Sequence, residues 1–205
     1  MIFLLRHGET VWNRADRRQG RRDSPLTLLG IAQARAVAEL LGDLLMGSRP
    51  AIQASPLGRA WQTAVIVAEV LGRDSDEIVT VERLAEISYG EWEGLTSEEI
   101  RRADPDLYER RLADRWTIPP RGGESFVDLQ ARLAPWLAEQ DLARDVIVIG
   151  HAALNRALVG LVARLGAGAA LALPEDQLNI YRLSDGFYDI VGPAELPCDH
   201  GVRRT

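Results

Sequence analysis

The sequence contains no lysine, and all 24 of its basic residues are arginine. Without lysine the chain cannot form a Schiff base with a carbonyl substrate or with pyridoxal phosphate. It also cannot supply the lysine of a P-loop nucleotide site. An anion held by side-chain charge must therefore be held by arginine, whose planar guanidinium binds phosphate oxygens in pairs.

Cysteine is nearly absent as well. The single cysteine, Cys198, lies near the C-terminus beside Asp199 and His200. One cysteine excludes an internal disulfide and any zinc or iron–sulfur site built from several cysteines. We interpret Cys198 as a surface thiol, and the sequence shows no set of carboxylates typical of a metal site. We therefore expect no metal and no cofactor.

Long hydrophobic runs are absent too. The apolar start, residues 1–5, ends at Arg6 and is far too short for a signal peptide or a membrane span. Of the 205 residues, 46% are hydrophobic and 26% charged, which is typical of a soluble globular domain. The net charge of −6 argues against a nucleic-acid partner. We predict a cytoplasmic protein with no membrane partner.

Short apolar runs alternate with helical patterns along most of the chain. The runs MIFLL, AIQAS, IVTVERL and DVIVIG read as strands, and LNIYRLS and GFYDIVG read as a final pair joined in a hairpin. Thr27 is a candidate N-cap, and the stretch 124–139 reads as helical although it contains Pro135. This alternation predicts an α/β sandwich of three layers around a mostly parallel sheet. We expect one domain over residues 1–205, with a polar cover of short helices and loop at about 95–123.

Two of the three histidines follow predicted strands at matching places. His7 follows the strand IFLL, and His151 follows the strand VIVI. Ligands of open α/β sheets bind at the carboxyl ends of the strands, so neighbouring strands would bring both imidazoles to one crevice. Gly8 and Gly150 keep the backbone compact there, and the amide of Ala152 at a helix start could donate to an anion.

Five segments resemble, in order, the motifs of the histidine phosphatase superfamily, which contains the cofactor-dependent phosphoglycerate mutases and many phosphatases. They are RHGETVWN, QGRRDSPLTLLGIAQA, SPLGRAWQTA, LAEISYGEWEG and VIGHAALNR. Together they extend over both halves of the chain and imply a phosphoglycerate mutase-like fold. Ala152 and Ala153 stand where many members have glycine, but these substitutions keep the backbone amides.

The resemblance implies a role for each motif residue. Neutral His7 would attack phosphorus and form a phosphohistidine. Arg6 and Arg59 would bind the phosphoryl oxygens in bidentate fashion, and a protonated His151 would hold them from the other side. Asn13 would add a neutral donor.

Glu86 matches the acid of the family by its place four residues before a glycine. It would protonate the leaving oxygen and then activate water. By composition alone the acid could also be Glu82, Glu91 or Glu93.

Two regions are expected to contact the substrate. Gln19 and Gly20 match the loop that lines the substrate side in relatives, although Gln19 could equally be a plain surface residue. The arginine-rich run 14–22 either steers anions or is a solvated face. The cover would suit a second anionic group or a flat ring, with a solvated arginine face equally open. Its candidate residues are Arg101, Arg102, Arg110, Arg111, Arg115, Arg121, Tyr108 and Trp116.

We expect a phosphomonoester hydrolase of the small phosphatase branch. The stretch between the acidic motif and the second histidine is compact, whereas the mutases carry a longer insertion there, and PRGGESFVD is similar to the small phosphatases. The alternatives are a phosphoglycerate mutase, a non-catalytic phosphoryl-binding protein and a phosphatase of phosphohistidine proteins. Candidate substrates are phosphosugars, phosphoglycerate derivatives, phosphoserine, nucleotide monophosphates and ribazole phosphate. The sequence leaves open a monomer or a homodimer.

Overall fold

The computed structural model describes residues 1–141 and 144–192. Cys198 and the predicted tail from Pro193 lie outside these residues. Within them, a six-stranded sheet is flanked by helices on both faces, as predicted. No helix in these two ranges combines the length and the apolar character that crossing a membrane requires.

The sheet order is β3-β2-β4-β1-β5-β6. The first four strands in this order run parallel, and β5 and β6 are antiparallel to their neighbours. The mostly parallel sheet and the final hairpin are therefore confirmed. IVTVERL is strand only at its start, and its end forms a 3-10 turn. The strands are β1 Ile2–Arg6, β2 Ala51–Ala54, β3 Ile78–Thr80, β4 Val146–Gly150, β5 Ile180–Ser184 and β6 Phe187–Val191.

Four of the eight α-helices in the described ranges follow a residue whose side chain caps the helix, namely those that start at Val11, Leu28, Ser97 and Phe126. Thr27 accepts a hydrogen bond from the Gly30 amide, and Ser125 forms a capping box with Asp128. Pro135 lies inside its helix rather than in the first turn. The helices are α1 Val11–Arg14, α2 Leu28–Leu45, α3 Gly58–Val70, α4 Ser97–Ala103, α5 Pro105–Ala113, α6 Phe126–Ala138, α7 Ala152–Val162 and α8 Ala167–Leu171, with 3-10 turns at Ser75–Glu77, Glu82–Leu84 and Gly90–Trp92.

The central strands are buried on both faces because alternate side chains point to opposite sides. In β1, Ile2 and Leu4 belong to the core shared with α6 and α7. Phe3 and Leu5 belong to the core shared with α2 and α3. These two cores form the interfaces of a three-layer sandwich.

β1 and β4 are adjacent and parallel, with Arg6 paired to Gly150. The next strand after β1 lies beyond β4, and the next strand after β4 lies beyond β1. The connections therefore leave in opposite directions, which opens a crevice at the carboxyl ends of these two strands. His7 and His151 follow the last residues of these strands and lie side by side in that crevice.

Candidate active site

The imidazole of His7 is buried and held by two hydrogen bonds. Nδ1 lies 2.8 Å from the carbonyl oxygen of Gly8, and a carbonyl oxygen can only accept, so Nδ1 carries the proton. Nε2 then holds a lone pair, and Arg59 Nε donates to it across 3.2 Å. Burial, followed by the charges of Arg59 and Arg6, lowers the pKa of His7 well below its ordinary value. A neutral ring with an unprotonated Nε2 is the form in which histidine is a nucleophile.

Glycine is required where the β1 end meets the start of α2. A Cβ on Gly8 would lie 2.2 Å from the Gly30 carbonyl oxygen, and a Cβ on Gly30 would lie 2.1 Å from the Glu9 carbonyl oxygen. The Gly8 amide donates to Thr63 Oγ1 on α3. The backbone beside His7 is therefore held between two helices.

Arg59 is fully buried in the first turn of α3 and uses most of its donors on the protein. Besides the bond to His7, Nη1 donates to the Arg22 carbonyl and to Asp23 Oδ1, and Nη2 donates to the Gly20 carbonyl. Four of its five N–H groups are thus engaged with described residues. The expected bidentate contact of Arg59 with a phosphoryl group therefore requires it to release a protein partner.

His151 lies against His7, with ring centroids 5.1 Å apart at an angle of 63°. Its Nε2 is 2.7 Å from Ser55 Oγ, and its buried Nδ1 has no partner among the described residues. Burial, followed by Arg59 and other positive groups, lowers the pKa of His151 well below its ordinary value. These effects favour the neutral ring, whereas the resemblance implies a protonated one.

Glu86 is buried at the N-terminus of α7. Its Oε1 accepts from the amides of Ile87 and Leu154, at 2.9 and 3.1 Å, and its Oε2 accepts from Ala153 at 3.3 Å. Burial raises the pKa of Glu86, against the opposing effect of these amides and of Arg59. A raised pKa is what a carboxyl group needs to donate a proton near neutral pH.

The three other carboxylates considered from the sequence do not line the cavity at this site. Glu82 and Glu91 are exposed on the surface. Glu93 Oε1 accepts from the amides of Arg21 and Tyr89 and joins the arginine-rich loop to the acidic motif. Of the four, Glu86 is the one that lines the cavity together with His7.

A cavity of about 190 Å³ opens at this crevice. The predicted site residues on its wall are Arg6, His7, Asn13, Gln19, Gly20, Arg59, Glu86 and Ala152. His151 is not on this wall and contacts it through His7. No cluster of three or more metal-binding side chains occurs in the described ranges.

The loop residues reach the cavity through specific local bonds. Asn13 Oδ1 accepts from the amide and hydroxyl of Thr10, which leaves the side-chain NH₂ as the donor on the cavity side. Gln19 is buried, and its Oε1 has no partner among the described residues. Gly20 has a φ of +55°, and a Cβ there would lie 2.3 Å from Glu93 Oε1. Both residues that matched the substrate loop therefore face the cavity.

Positive charge dominates the cavity wall. Arg6 Nη1 donates to the Glu175 carbonyl, and its buried Nε has no partner among the described residues. Two carboxylates, Glu86 and Glu175, oppose seven arginines. Such a wall favours an anion. The arginines are Arg6, Arg17, Arg18, Arg59, Arg111, Arg115 and Arg156.

The arginine-rich run 14–22 is partly structural. Arg14 pairs with Glu9, Arg17 with Glu99, and Arg21 with Glu124. Only Arg17 and Arg18 of its arginines line the cavity. The run therefore both fastens its loop and adds charge to the wall.

The cover contributes one side of the cavity through α4, α5 and the residues just after them. Arg111 is buried, and its Nε and Nη2 have no partner in the described part of the chain. Its guanidinium lies over the rings of Tyr89 and Trp92, with Cζ 5.4 and 5.9 Å from the ring centroids. The wall residues from this region are Ile100, Tyr108, Arg111, Leu112 and Arg115.

Sequence reasoning did not single out Ser55, Tyr89 or Arg156. Ser55 ends the strand AIQAS, so it shares the sheet edge of His7 and His151. Arg156 lies on α7 and binds the Leu173 carbonyl and Glu175. For Ser55 the available signal was its position after a parallel strand, which is where site residues are expected.

The comparisons with known proteins agree with this geometry. The sequence model of the histidine phosphatase superfamily (branch 1) matches residues 2–192. A bifunctional protein of Mycobacterium tuberculosis is 36% identical over 182 residues, which are 89% of this chain and 46% of that protein. The chain thus spans about half the length of that relative.

Two relatives that are covered more fully carry phosphatase names. A glucosyl-3-phosphoglycerate phosphatase of Mycobacterium tuberculosis is 39% identical over 84% of this chain and 76% of its own. The solved mycobacterial structure of that name has a TM-score of 0.74 at 34% identity and covers 88% of this chain and 87% of its own. A metal-independent phosphoserine phosphatase of Arabidopsis thaliana is 34% identical over 90% of this chain and 76% of its own.

Proposed function

The chain belongs to the histidine phosphatase superfamily, and we propose that it hydrolyses phosphomonoesters of small metabolites through a phosphohistidine formed on His7. The observation that carries this proposal is the buried His7 ring, whose Nδ1 is bonded to a carbonyl oxygen while its Nε2 keeps a lone pair beside Arg59. The phosphatase names of the relatives support the same reaction class.

The reaction has two balanced steps. In the first, Arg59 Nε–H leaves His7 Nε2, whose lone pair forms a bond to phosphorus while the ester P–O bond breaks, and Glu86 gives its proton to the leaving oxygen. In the second, the Glu86 carboxylate takes a proton from water as that water attacks phosphorus and the P–N bond breaks. The products are the alcohol and inorganic phosphate, and both residues return to their starting forms.

The positive charge that phosphoryl transfer requires comes from the chain itself. Arg6 has an unpartnered buried Nε on the cavity wall, and Arg59 has one N–H not engaged with described residues. Asn13 and the first amide of α7, that of Ala152, add neutral donors. We assign phosphoryl binding to these groups, with no metal ion or cofactor as a participant.

The substrate carries a second anionic group. Arg111 presents two unpartnered buried donors, and Arg18 and Arg115 line the same cavity. A buried guanidinium with unsatisfied N–H groups is costly unless a ligand accepts from it. A carboxylate or second phosphate on a compact metabolite would meet this need.

We place the protein in the cytoplasm, with no nucleic-acid partner.

The experiment compares wild type with His7→Ala on p-nitrophenyl phosphate and a panel of natural phosphomonoesters, in chelator. We expect hydrolysis in wild type and none in the variant. We also expect a phosphoenzyme that is stable to alkali and labile to acid in wild type only. Glu98→Gln, which changes an exposed residue, is the matched control.

Three outcomes would overturn the proposal. Hydrolysis by His7→Ala would show that the reaction does not need a phosphohistidine on His7. Isomerisation of 3-phosphoglycerate in the presence of 2,3-bisphosphoglycerate, without phosphate release, shows a mutase. Binding of a phosphate analogue with neither activity shows a non-catalytic member.

A further inference from the structure

Ser55 is a fully buried hydroxyl residue placed against the second histidine. It follows β2 directly, and its amide donates to the Ile149 carbonyl on β4. Its Oγ lies 2.7 Å from His151 Nε2, and the two residues are 96 positions apart in the chain. Ser55 itself does not line the cavity.

The hydrogen-bond inventory of Ser55 determines which atom donates. The Leu57 amide donates to Ser55 Oγ at 3.3 Å, so one lone pair of the oxygen is used. The hydroxyl proton then needs an acceptor, and His151 Nε2 is the acceptor within reach among the described residues. If Nε2 held a proton instead, the buried hydroxyl proton would have no partner, which is unfavourable.

We propose that Ser55 is a positioning residue that sets the tautomer of His151: its hydroxyl donates to Nε2, and the ring proton is thereby held on Nδ1. Nδ1 is buried without a partner among the described residues, in a ring packed against the nucleophile. The Nδ1–H group is then a preset donor to a phosphoryl oxygen, a role that rests on the proposed function.

The two histidines thereby have the same tautomer but bond different ring atoms to their uncharged neighbours. His7 donates its Nδ1–H to the Gly8 carbonyl, and its Nε2 is unprotonated. His151 accepts from the Ser55 hydroxyl at Nε2, and its N–H is at Nδ1. One ring supplies the nucleophile and the other supplies a donor, and neither needs a charge in an interior that already holds Arg59.

The tautomer can be measured without turnover by NMR of the whole chain labelled with ¹⁵N-histidine. The chain has only three histidines, so His7→Asn and His151→Asn variants assign the signals. We expect His151 to be neutral with its proton on Nδ1, and this N–H signal to shift when inorganic phosphate is added. A proton on Nε2, an imidazolium ring, or a signal that phosphate does not move would overturn the proposal.

The variant Ser55→Ala tests the cause. We expect the Nδ1–H preference of His151 to be lost and kcat for p-nitrophenyl phosphate to fall about tenfold, with a modest fall in melting temperature because the Leu57 amide loses its acceptor. Ser125→Ala is the control, because it also removes a buried hydroxyl but one bonded to Asp128. It should lower the melting temperature and leave the His151 tautomer unchanged. An unaltered tautomer in Ser55→Ala would contradict the assignment, whatever the protein hydrolyses.

Discussion

Arg59 Nε donates a hydrogen bond to His7 Nε2 across 3.2 Å in the protein interior. This bond occupies the lone pair that we assign to the attack on phosphorus, so Arg59 Nε must leave His7 Nε2 before the attack. The same guanidinium holds the Gly20 and Arg22 carbonyls and Asp23. Through Arg59, the position of the nucleophile is coupled to the loop that lines the cavity.

Asp23→Asn should weaken this coupling. Asp23 Oδ1 accepts from Arg59 Nη1 at 2.8 Å, and its other oxygen accepts from the Gly58 amide at the start of α3. Loss of a charge-assisted bond to a buried arginine is expected to reduce kcat/KM on p-nitrophenyl phosphate by about tenfold. Glu98→Gln removes an ion pair of similar length from the surface and should change nothing. Equal rates in the two variants would mean that Asp23 does not position Arg59.

Glu86→Gln should impair hydrolysis according to the leaving group. An alkyl leaving oxygen needs a proton, so kcat on alkyl phosphates should fall by about 10²–10⁴. p-Nitrophenolate is a good leaving group without a proton, so the rate at which p-nitrophenyl phosphate forms the phosphoenzyme should fall far less. Rapid-quench measurement of phosphoenzyme formation from each substrate separates the two cases. Equal losses for both leaving groups would show that Glu86 is not the acid.

The raised pKa of Glu86 predicts how the rate of phosphoenzyme formation changes at alkaline pH. Burial raises the pKa of Glu86, and the first step uses its protonated form. The rate of phosphoenzyme formation from an alkyl phosphate should therefore decline as pH rises through that raised pKa. In Glu86→Gln this decline should disappear from the residual rate. A decline that persists in the variant would assign it to another group.

Arg111→Met should discriminate between substrates. Methionine keeps much of the apolar contact with Tyr89 and Trp92 but removes both unpartnered donors. We expect KM to rise at least tenfold for metabolites with a second anionic group and to stay nearly constant for p-nitrophenyl phosphate. Arg101→Met, on an exposed arginine of the same cover, is the control. A parallel rise for every substrate would place Arg111 at the reacting phosphoryl group instead.

Stability should fall on mild acidification. The folded protein holds His7 and His151 with pKa values well below the ordinary value of about 6.5. Below about pH 6.5 the unfolded chain therefore binds more protons than the folded chain, and each histidine removes up to about 1.4 kcal/mol of unfolding free energy per pH unit. Urea titrations from about pH 7.5 to pH 5.5, without phosphate, measure this slope. His7→Gln/His151→Gln should flatten it, and an equal slope in the variant would mean that other groups cause the acid sensitivity.

Much of the fold could be predicted from local patterns. The runs MIFLL and DVIVIG are strands because they are short and apolar throughout, and Thr27 begins α2 because its hydroxyl caps the Gly30 amide. The prediction that the two histidines meet depended on β1 and β4 being neighbours, which no local pattern shows. The parallel pairing of Arg6 with Gly150 shows that they are neighbours.

Other features depend on partners that no local pattern reveals. Glu86 could not be separated from Glu82, Glu91 and Glu93 by composition, because its distinction is burial at the start of α7. The protonated form expected of His151 stays a prediction, because a motif does not show what surrounds the ring. Its charge state depends on burial and on nearby arginines, which come from distant parts of the chain.

The sequence by itself determined the reaction class, because the order of five motifs and the absence of lysine are properties of the chain. It also placed both histidines at strand ends, since strand runs and their terminators are local. Only the tertiary structure decided which polar groups surround those rings and how far Arg59 is already engaged. These depend on bonds such as Arg59 to His7 and Ser55 to His151, which span 52 and 96 residues and form only when the sheet and its helices are assembled.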